Sequence, residues 1–365
     1  MPVLTLVTEQ CLAPVPGGTG RYTREVGRSL AVMTPPDWQV QGVVGWHRDV
    51  RAARISGVAG PRRLPAPRRA LTALWERGLP PLVGGDVVHA TTPLAPMAPR
   101  LRTGALVVTI HDAVPYTHPD LLTPRGVAWH RRMIGLAARA ADAVVVPTLA
   151  VATELARHVD LRRVEVIGEG VAQAFAAPPP ARAVAAVTTR LGLPERYLVA
   201  VGTLEPRKGL PTIIRALDQL PPDVHLAVVG PAGWGDATPE ASDRVHLLGR
   251  LTDADLAAVV AGAAVSVHAS RSEGFGLPLV EAMSVGTPVV HSAIDVFAEV
   301  AQLAGASFPV DDDRALADAV RPFLADDSKA RTATASAGRA VAATHSWTNV
   351  AERLWDLYRE LAADR

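Results

Sequence analysis

The chain has 365 residues, with 37 Lys and Arg against 36 Asp and Glu and a formal net charge of +1. This length suits two ordinary domains, the hydrophobic fraction of 48% argues against disorder, and the balanced charge by itself points to no particular partner, so we expect no nucleic acid. The single cysteine, Cys11, excludes an internal disulfide framework and fits a reducing compartment.

Short runs rich in β-branched residues alternate with longer helical patterns along the chain. Most of these runs lack polar alternation, as strands buried on both faces do, and the strand-then-helix repetition predicts parallel sheets with right-handed crossovers. The predicted strands are Val3–Thr8, Val40–Val44, Asp86–His89, Ala105–His111, Ala143–Pro147, Val164–Ile167, Leu198–Gly202, His225–Gly230, Val245–Leu248, Ala264–His268 and Pro288–His291.

The stretch AFAAPPPARAV, residues 174–184, is the predicted linker, because consecutive prolines favour an extended spacer. It divides the chain into a Rossmann-like domain over residues 1–173 and a second one over residues 174–345. Two doubly wound α/β domains that face one another form a cleft at the carboxyl ends of their strands, where ligands bind.

The stretch PVPGGTGRYTREVGRSL places Gly17, Gly18 and Gly20 between the first strand and an amphipathic helix. Gly18, Gly20 and Thr23 come close to the G-x-G-x-x-G fingerprint of dinucleotide-binding folds, so an NAD(P)-dependent oxidoreductase is an alternative function. That fingerprint expects an acidic residue about 20 positions further on, at the end of the second strand, and here the first acid is Asp49, after that strand. The glycines remain candidates for admitting a phosphate or an acceptor.

An arginine-rich segment runs from Arg48 to Arg77, with eight arginines against two acids and with tryptophans and leucines interleaved. It is either a solvated surface from a biased composition or a patch in peripheral contact with anionic lipid headgroups, at about 1 kcal/mol per basic residue. Further on, LVVTIHDAVPY places His111 and Asp112 at the carboxyl end of a strand, where they are candidates for orienting a hydroxyl or a phosphate.

Two cations follow the strand that ends at Gly202. The stretch VGTLEPRKGLPTIIRAL carries Arg207 and Lys208 on the loop before a helix. The planar guanidinium fork and the compact ammonium charge both suit phosphate oxygens. Adjacent cations are often only solvated surface, but their place at a strand's carboxyl end predicts a phosphate site.

The stretch SEGFGLPLVEAMSVGTPVV predicts a helix over about 278–285, with Pro278 at its first position and Gly286 just after its end. The exposed backbone amides at the start of this helix would stabilise a bound anion by about 0.3–2 kcal/mol per charge. Since carboxylates repel a diphosphate, we expect Glu273 and Glu281 to accept hydrogen bonds from hydroxyls on either side of it. A nucleotide sugar has this layout of sugar, diphosphate and ribose; the alternative is that Glu281 only caps the helix and Glu273 is solvated.

Metal-binding patterns are weak. Asp253-Ala254-Asp255 matches D-x-D but is more typical of a capped helix start, and Asp311–Asp313 precedes a helix in the same way. We therefore expect no metal, with phosphate charge offset by Arg207, Lys208 and helix amides. The N-terminus lacks a signal-peptide pattern, and Leu256–Ala269 is shorter than the roughly 20 residues that span a bilayer, so we expect a cytoplasmic protein.

Together these stretches resemble the retaining glycosyltransferases of family 4, which have the GT-B architecture of two Rossmann-like doubly wound domains facing across a cleft. The similarity covers nearly the whole chain, through GGTGRYTREV, HDAVPY, ADAVVVPT, GTLEPRKG, SEGFGLPLVEAMSVGTPVV and SWTNVAERLWDLYRELA. The combination of E-x7-E with R-K-G is specific, whereas either motif alone is much weaker.

The resemblance implies that the C-terminal domain binds the nucleotide-sugar donor. Arg207 and Lys208 would hold its diphosphate on the loop that begins at Gly202, Glu273 would contact the transferred sugar, and Glu281 the ribose. Backbone amides that face the donor would come from Gly274, Phe275, Gly276 and Leu277.

The resemblance also implies that the N-terminal domain binds the acceptor. Gly17 and Gly18 would line the cleft, and His111 would lie near the reacting sugar carbon. The implied reaction is metal-independent hexose transfer from a GDP- or UDP-sugar to a glycan or glycolipid acceptor, with retention by front-face attack. Mannose is the first choice of sugar, through resemblance to bacterial mannosyltransferase-like members. A non-catalytic nucleotide-sugar-binding subunit is the remaining alternative.

Three positions depart from the family pattern. Thr148 stands where the family often has serine, Glu169 where it often has asparagine, and Glu299 lacks the usual proline before it. The resemblance also implies that the C-terminal segment, residues 346–365, forms a last helix, from about Trp347, that returns to the first domain. The departures concern the donor base and the acceptor and leave the expected fold unchanged.

Overall fold

A computed structural model of the protein describes residues 1–233, 242–325 and 329–364. The chain forms two compact units. The N-terminal unit comprises Met1–Gly170 together with Ser346–Arg365, and the C-terminal unit comprises Val171–His345.

The N-terminal unit is built on a parallel sheet with the strand order β3-β2-β1-β4-β5-β6-β7. The central strands are buried along their whole length, because their β-branched runs have helices to pack against on both faces. The strands are β1 Val3–Val7, β2 Gln39–Val44, β3 Ala59–Arg63, β4 Val87–Ala90, β5 Ala105–Thr109, β6 Ala143–Val146 and β7 Val164–Val166. The helices between them are α1 Gly17–Val32, α2 Arg68–Glu76, α3 Val114–Thr117, α4 Pro124–Ala140 and α5 Leu149–Ala156.

The C-terminal unit repeats this plan with a parallel sheet in the order β10-β9-β8-β11-β12-β13. Its strands are β8 Tyr197–Val201, β9 His225–Val229, β10 Val245–Gly249, β11 Val265–His268, β12 Val289–Ser292 and β13 Ala306–Phe308. Its helices are α6 Ala181–Arg190, α7 Leu210–Leu217, α8 Asp253–Gly262, α9 Leu277–Val285, α10 Asp295–Ala301, α11 Asp313–Val320 and α12 Lys329–Ala342. Short 3-10 segments are Glu9–Leu12, Arg51–Ala53, Pro99–Leu101, Pro119–Leu121, Gln173–Phe175, Pro206–Lys208 and Arg321–Phe323.

The closing helix α13, Trp347–Ala363, belongs to the N-terminal unit and packs on α1. Its buried face is anchored by polar contacts as well as apolar ones. The indole Nε1 of Trp355 donates to the carbonyl oxygen of Leu30 at 3.1 Å, and the Tyr358 hydroxyl lies 2.5 Å from Nδ1 of the buried His89. None of the helices in the described ranges is both long and apolar enough to cross a bilayer.

Every predicted strand is present, with small differences at the ends, and the predicted α/β fold of two parallel-sheet domains is confirmed. The sequence patterns did not indicate the edge strands β3 and β13, because both are partly exposed and lack an apolar run. One local prediction is wrong: Gly17, Gly18 and Gly20 lie in the first turn of α1 and not in a loop before it. In addition, α6 begins inside the predicted linker, at Ala181.

In each sheet the strand order reverses once, between β1 and β4 and between β8 and β11. At such a point, the loops that follow the two neighbouring strands turn to opposite sides of the sheet. A crevice therefore opens between these loops at the carboxyl edge of the sheet. The candidate residues on the loops after β8 and β11 therefore converge at the reversal in the C-terminal sheet.

We predict that Trp355→Phe lowers the free energy of unfolding by about 1–3 kcal/mol, because it removes a buried hydrogen bond to the Leu30 carbonyl, which keeps the Thr34 hydroxyl at 2.9 Å, and leaves a gap where the larger indole packed. Urea unfolding followed by circular dichroism measures the change. The matched control is Trp46→Phe, since the Trp46 side chain is 57% exposed and its replacement should change stability by less than about 0.5 kcal/mol. Equal effects of the two variants would contradict this account of α13.

Candidate functional site

The candidate site in the C-terminal unit lies where β8 and β11 end side by side. These strands pair in parallel, with Leu198 opposite Val265. Arg207 and Lys208 lie on the 3-10 turn after β8, and Glu273 lies on the loop after β11. A backbone hydrogen bond of 2.9 Å from the Arg271 N–H to the Arg207 carbonyl ties the two loops together.

Four charged side chains form one cluster on these loops. Glu273 accepts from the Lys208 ammonium at 2.6 Å and from the Arg207 guanidinium at 3.0 Å, one bond to each carboxylate oxygen. The other arm of Arg207 donates to Glu205 at 2.6 Å. The Ser270 hydroxyl donates to Glu273 at 2.7 Å. Two acids and two bases thus balance one another in a cluster whose side chains are at most 22% exposed.

Two members of the cluster were not predicted from the sequence. Glu205, only two positions before Arg207, and Ser270, three before Glu273, were not among the predicted site residues. A carboxylate within two residues of a predicted phosphate-binding arginine was the available signal for Glu205. In the structure Glu273 contacts the predicted phosphate-binding cations directly, whereas the sequence suggested only a contact with sugar hydroxyls.

Glu273 is ionised at any physiological pH. Burial by itself raises the pKa of its carboxyl, but the charges of Lys208 and Arg207 and the hydrogen bonds from Lys208 and Ser270 outweigh burial and lower the pKa to about 2. The carboxylate therefore acts as a permanent anchor that holds both cations in one orientation, and cations held in this way lose little entropy when they meet an anion.

A pocket opens beside this cluster at the carboxyl edge of the sheet. Of the predicted site residues it is lined by Gly202, Lys208, Glu273 and Gly276. His268 forms part of its floor, and burial, together with the nearby His291 and Lys208, lowers the pKa of His268 to about 3. That ring is neutral, so it adds no charge beneath the cluster.

The start of α9 closes one side of this pocket. Gly276 precedes the helix with a left-handed φ of 95°, and a Cβ there would lie 2.7 Å from the Phe297 ring, so only glycine fits. The predicted helix and its glycine stop at Gly286 are confirmed. The Phe275 side chain is directed towards His345 and not into the pocket. The two rings pack edge-on, with centroids 5.3 Å apart.

The predicted pair of glutamates is not equivalent in the structure. Glu273 lines the pocket, whereas Glu281 is 1% exposed within α9 and is not among the described residues that line it. Gly274 and Leu277 flank Gly276 on the same loop and helix start, and Leu277 is buried. A contact of Glu281 with a ribose stays a prediction.

The N-terminal unit carries a second pocket, of about 550 Å³, at the carboxyl edge of its own sheet. His111 and Asp112 line it directly after β5, as their place at a strand tip predicted. Other lining residues are Gln10, Thr19, Arg68, Thr92, Arg125, Trp129 and His130. Gly17 and Gly18 lie close by in the chain, exposed at the start of α1, where a Cβ on either would meet no atom within 4 Å.

The acidic motifs are helix starts, as expected. Thr252 caps α8 by accepting from the Asp255 N–H at 3.2 Å, and Asp312 caps α11 by accepting from the Ala315 N–H at 2.9 Å. Over residues 1–233, 242–325 and 329–364, no three His, Cys, Asp or Glu side chains are grouped so as to hold a metal ion.

Sequence comparison matches both units to known families. Residues 16–174 match the family described as Glycosyltransferase Family 4, and residues 187–341 match Glycosyl transferases group 1. The chain is 30% identical over 310 residues to the phosphatidyl-myo-inositol mannosyltransferase of Mycobacterium leprae. This match covers 77% of this chain and 75% of that protein. It is 35% identical over 176 residues to the O-antigen chain mannosyltransferase B of Escherichia coli. That match covers 45% of this chain, and the chain spans only 46% of that relative.

Structural comparison gives the same fold. The crystal structure of Anabaena Alr3699/HepE in complex with UDP-glucose superposes with a TM-score of 0.78, covering 99% of this chain and all of that one, at 20% identity. The likeness confirms the predicted GT-B class of fold. None of these matches favours the oxidoreductase alternative.

We predict that Glu273→Gln reduces stability in a pH-dependent manner. The folded pKa of Glu273 lies below its ordinary value of 4.5, so its stabilising contribution is present above about pH 4.5 and is lost as the pH falls towards 2. The difference in unfolding free energy between wild type and variant should be on the order of 3 kcal/mol at pH 7 and should shrink below pH 4.5.

Urea unfolding at several pH values between 7 and 3 measures this difference. Glu195→Gln, at an exposed position of the same unit, is the control and should show almost none of it. A stability loss for Glu273→Gln that is the same at every pH would contradict the assignment of the cluster.

Proposed function

The chain belongs to glycosyltransferase family 4, and on that premise we propose that it moves a hexose from a nucleotide diphosphate sugar to a hydroxyl acceptor with retention of configuration. The observation that supports this proposal best is the cluster of Lys208, Arg207, Glu273 and Glu205 beside the start of α9. Cations and helix amides that are already oriented suit a diphosphate, which carries negative charge in the substrate and more of it as it leaves.

In this proposal the donor's diphosphate takes the place between Lys208, Arg207 and the amides of Gly274–Leu277. Glu273 keeps Lys208 and Arg207 in position and accepts a hydrogen bond from a hydroxyl of the transferred sugar. Glu281 accepts a hydrogen bond from a hydroxyl of the ribose. The phosphate charge is met by these groups without a bound metal, because the site already offers two fixed cations.

The proposed step is a front-face displacement. The bond between the sugar's anomeric carbon and the phosphate oxygen breaks, and the bond to the acceptor oxygen forms on the same face. The acceptor's proton passes to the departing phosphate oxygen, so no separate base is required. Lys208 and Arg207 stabilise the charge that builds up on the diphosphate.

The first choice of donor is GDP-mannose, from which mannose would be transferred. Two relatives are named as mannosyltransferases, which supports this choice. Anabaena HepE was crystallised with UDP-glucose, which supports a nucleotide sugar in general and keeps the UDP-sugars in the test. We propose a glycan or glycolipid acceptor, which the hydroxyl, amide and indole groups of the N-terminal pocket suit.

The experiment for the donor is a thermal-shift screen with UDP, GDP, ADP and their sugars. Lys208 and Lys329 are the only two lysines in the sequence, so they form a natural pair of variants. We predict that Lys208→Ala loses the thermal shift and lowers transfer about 100-fold or more, while Lys329→Ala, at an exposed position of α12, behaves as wild type.

Lysine chemistry gives an independent readout of the same prediction. Reductive methylation with ¹³C-formaldehyde labels few amines in this chain, and the bound donor should protect Lys208 and leave Lys329 reactive. Near-normal turnover in Lys208→Ala would count against the proposal. Donor binding without transfer and without slow donor hydrolysis would favour the non-catalytic subunit.

The arginine-rich segment supports a second, narrower proposal, peripheral contact with an anionic membrane at its cytoplasmic face. Its Leu71 and Trp75 are fully buried, so only part of the expected interleaved apolar surface exists. Trp46 is exposed on a loop that Glu9 holds, since Glu9 accepts from the Gly45 N–H at 2.7 Å and lies 2.7 Å from His47. The exposed arginines around it are Arg48, Arg51, Arg54, Arg62, Arg63, Arg69 and Arg77.

We predict that the protein floats with vesicles containing anionic lipid and not with neutral vesicles, and that added salt weakens this binding. Arg62→Glu with Arg69→Glu should abolish flotation, because the two charge reversals remove about 1 kcal/mol each and add repulsion. Arg182→Glu, exposed on α6 of the other unit, is the control. Binding without dependence on anionic lipid would remove the membrane proposal.

A further inference from the structure

The imidazole of His111 is held by protein atoms at both of its nitrogens. Nε2 lies 2.9 Å from the carbonyl oxygen of Thr91, and Nδ1 lies 3.6 Å from a carboxylate oxygen of Glu169. The Tyr22 ring packs edge-on against the imidazole, with centroids 4.7 Å apart at 83°. The ring therefore has little freedom to turn or to exchange its nitrogens.

Glu169 is placed by a close backbone contact. A Cβ on the next residue, Gly170, would lie 2.3 Å from the Trp347 nitrogen, so the chain here runs directly against the start of α13. Trp347 also packs against Tyr22, with ring centroids 5.8 Å apart. The side chain of Glu169 is 7% exposed and that of His111 is 12% exposed, so water screens their interaction weakly.

The protonation state follows from which atoms can donate. A carbonyl oxygen only accepts, so the contact with Thr91 requires a proton on Nε2 of His111. In a neutral ring Nδ1 would then present its lone pair to the Glu169 carboxylate, which is repulsive. A proton on Nδ1 turns this repulsion into charge attraction, and 3.6 Å is an ion-pair distance, somewhat longer than a formed hydrogen bond.

The other titratable groups around the ring support this state. Burial lowers the pKa of His111, but Glu169, the Thr91 carbonyl and Asp112 together outweigh burial, so that the pKa is raised. His89 behaves in the opposite way, since burial and the charge of His111 lower the pKa of His89 to about 3. Burial raises the pKa of Tyr22, which therefore stays neutral.

We propose that Glu169 is a positioning residue that keeps His111 as an imidazolium in the wall of the N-terminal pocket. This inference rests on the proposed function, in which that pocket receives the acceptor. The described lining residues then carry the positive charges of His111, Arg68 and Arg125, which exceed by one the negative charges of Asp112 in the lining and Glu169 beside the imidazole. Such a wall fits an acceptor that bears an anionic group, and loss of the His111 proton at alkaline pH weakens it.

The test compares Glu169→Gln with wild type. Glutamine keeps the shape and still offers Nδ1 a partner, but it removes the charge that favours the imidazolium. The pKa of His111, followed by NMR of histidine labelled with ¹³C and assigned with His111→Gln, should fall by about 1–3 units. The alkaline limb of the pH profile of transfer should move to lower pH by the same amount, and Glu169→Asp should restore part of both shifts.

One control variant and the shape of the pH profile separate this role from a merely structural one. Glu165→Gln, on β7 and paired with Arg163 at 2.9 Å, should leave the His111 titration unchanged. A structural role for Glu169 would lower the activity of Glu169→Gln equally at every pH, without moving the limb, and would overturn the proposal.

The NMR titration needs no substrate and decides between the outcomes even if no transfer is detected. An unchanged pKa of His111 in Glu169→Gln overturns the inference, whatever becomes of the proposed function. A lowered pKa of His111 in a protein that shows no transfer supports the pairing and counts only against the transferase.

Discussion

The carboxylate of Glu273, shared between Lys208 and Arg207, is the interaction on which the candidate site depends. It joins the loops after β8 and β11 at the point where the order of the strands reverses. A buried carboxylate with two cationic partners is costly to desolvate, so the cluster as a whole adds orientation more than net stability, whereas removal of the carboxylate alone leaves both cations unpaired and is destabilising. Glu205 completes the balance from the other side of Arg207, so the cations stand ready without moving.

In both units a carboxylate orients positively charged side chains, but the kind of positive charge differs. In the C-terminal unit an acid holds two permanent cations, and in the N-terminal unit Glu169 faces a histidine whose charge depends on that acid. Both arrangements lie at the carboxyl edge of a parallel sheet, where loops from neighbouring strands meet. Partial burial makes each pair stronger than it would be on the surface, because water screens it less.

The choice of lysine at position 208 has a physical reason. The chain contains only two lysines among its 37 basic residues, yet one of them lies in this cluster. The Lys208 stem passes over Gly202, where a Cβ would lie 3.2 Å from Cε, and its compact ammonium reaches a single oxygen of Glu273. Arg207 next to it needs its planar fork, since it bridges Glu205 and Glu273 at once.

The sequence by itself determined the local structure and the chemistry of single residues. Apolar runs predicted the buried strands, Pro278 and Gly286 marked the two ends of α9, and Arg207 and Lys208 stood out as phosphate-binding candidates, since each of these signals lies within a few neighbouring residues. Only the tertiary structure decided which side chains meet. The cationic partners of Glu273 lie 65 and 66 positions away, and Glu169 meets His111 from the loop after β7, two places along the sheet from β5. Such pairings depend on strand order and backbone contacts, which no local pattern records.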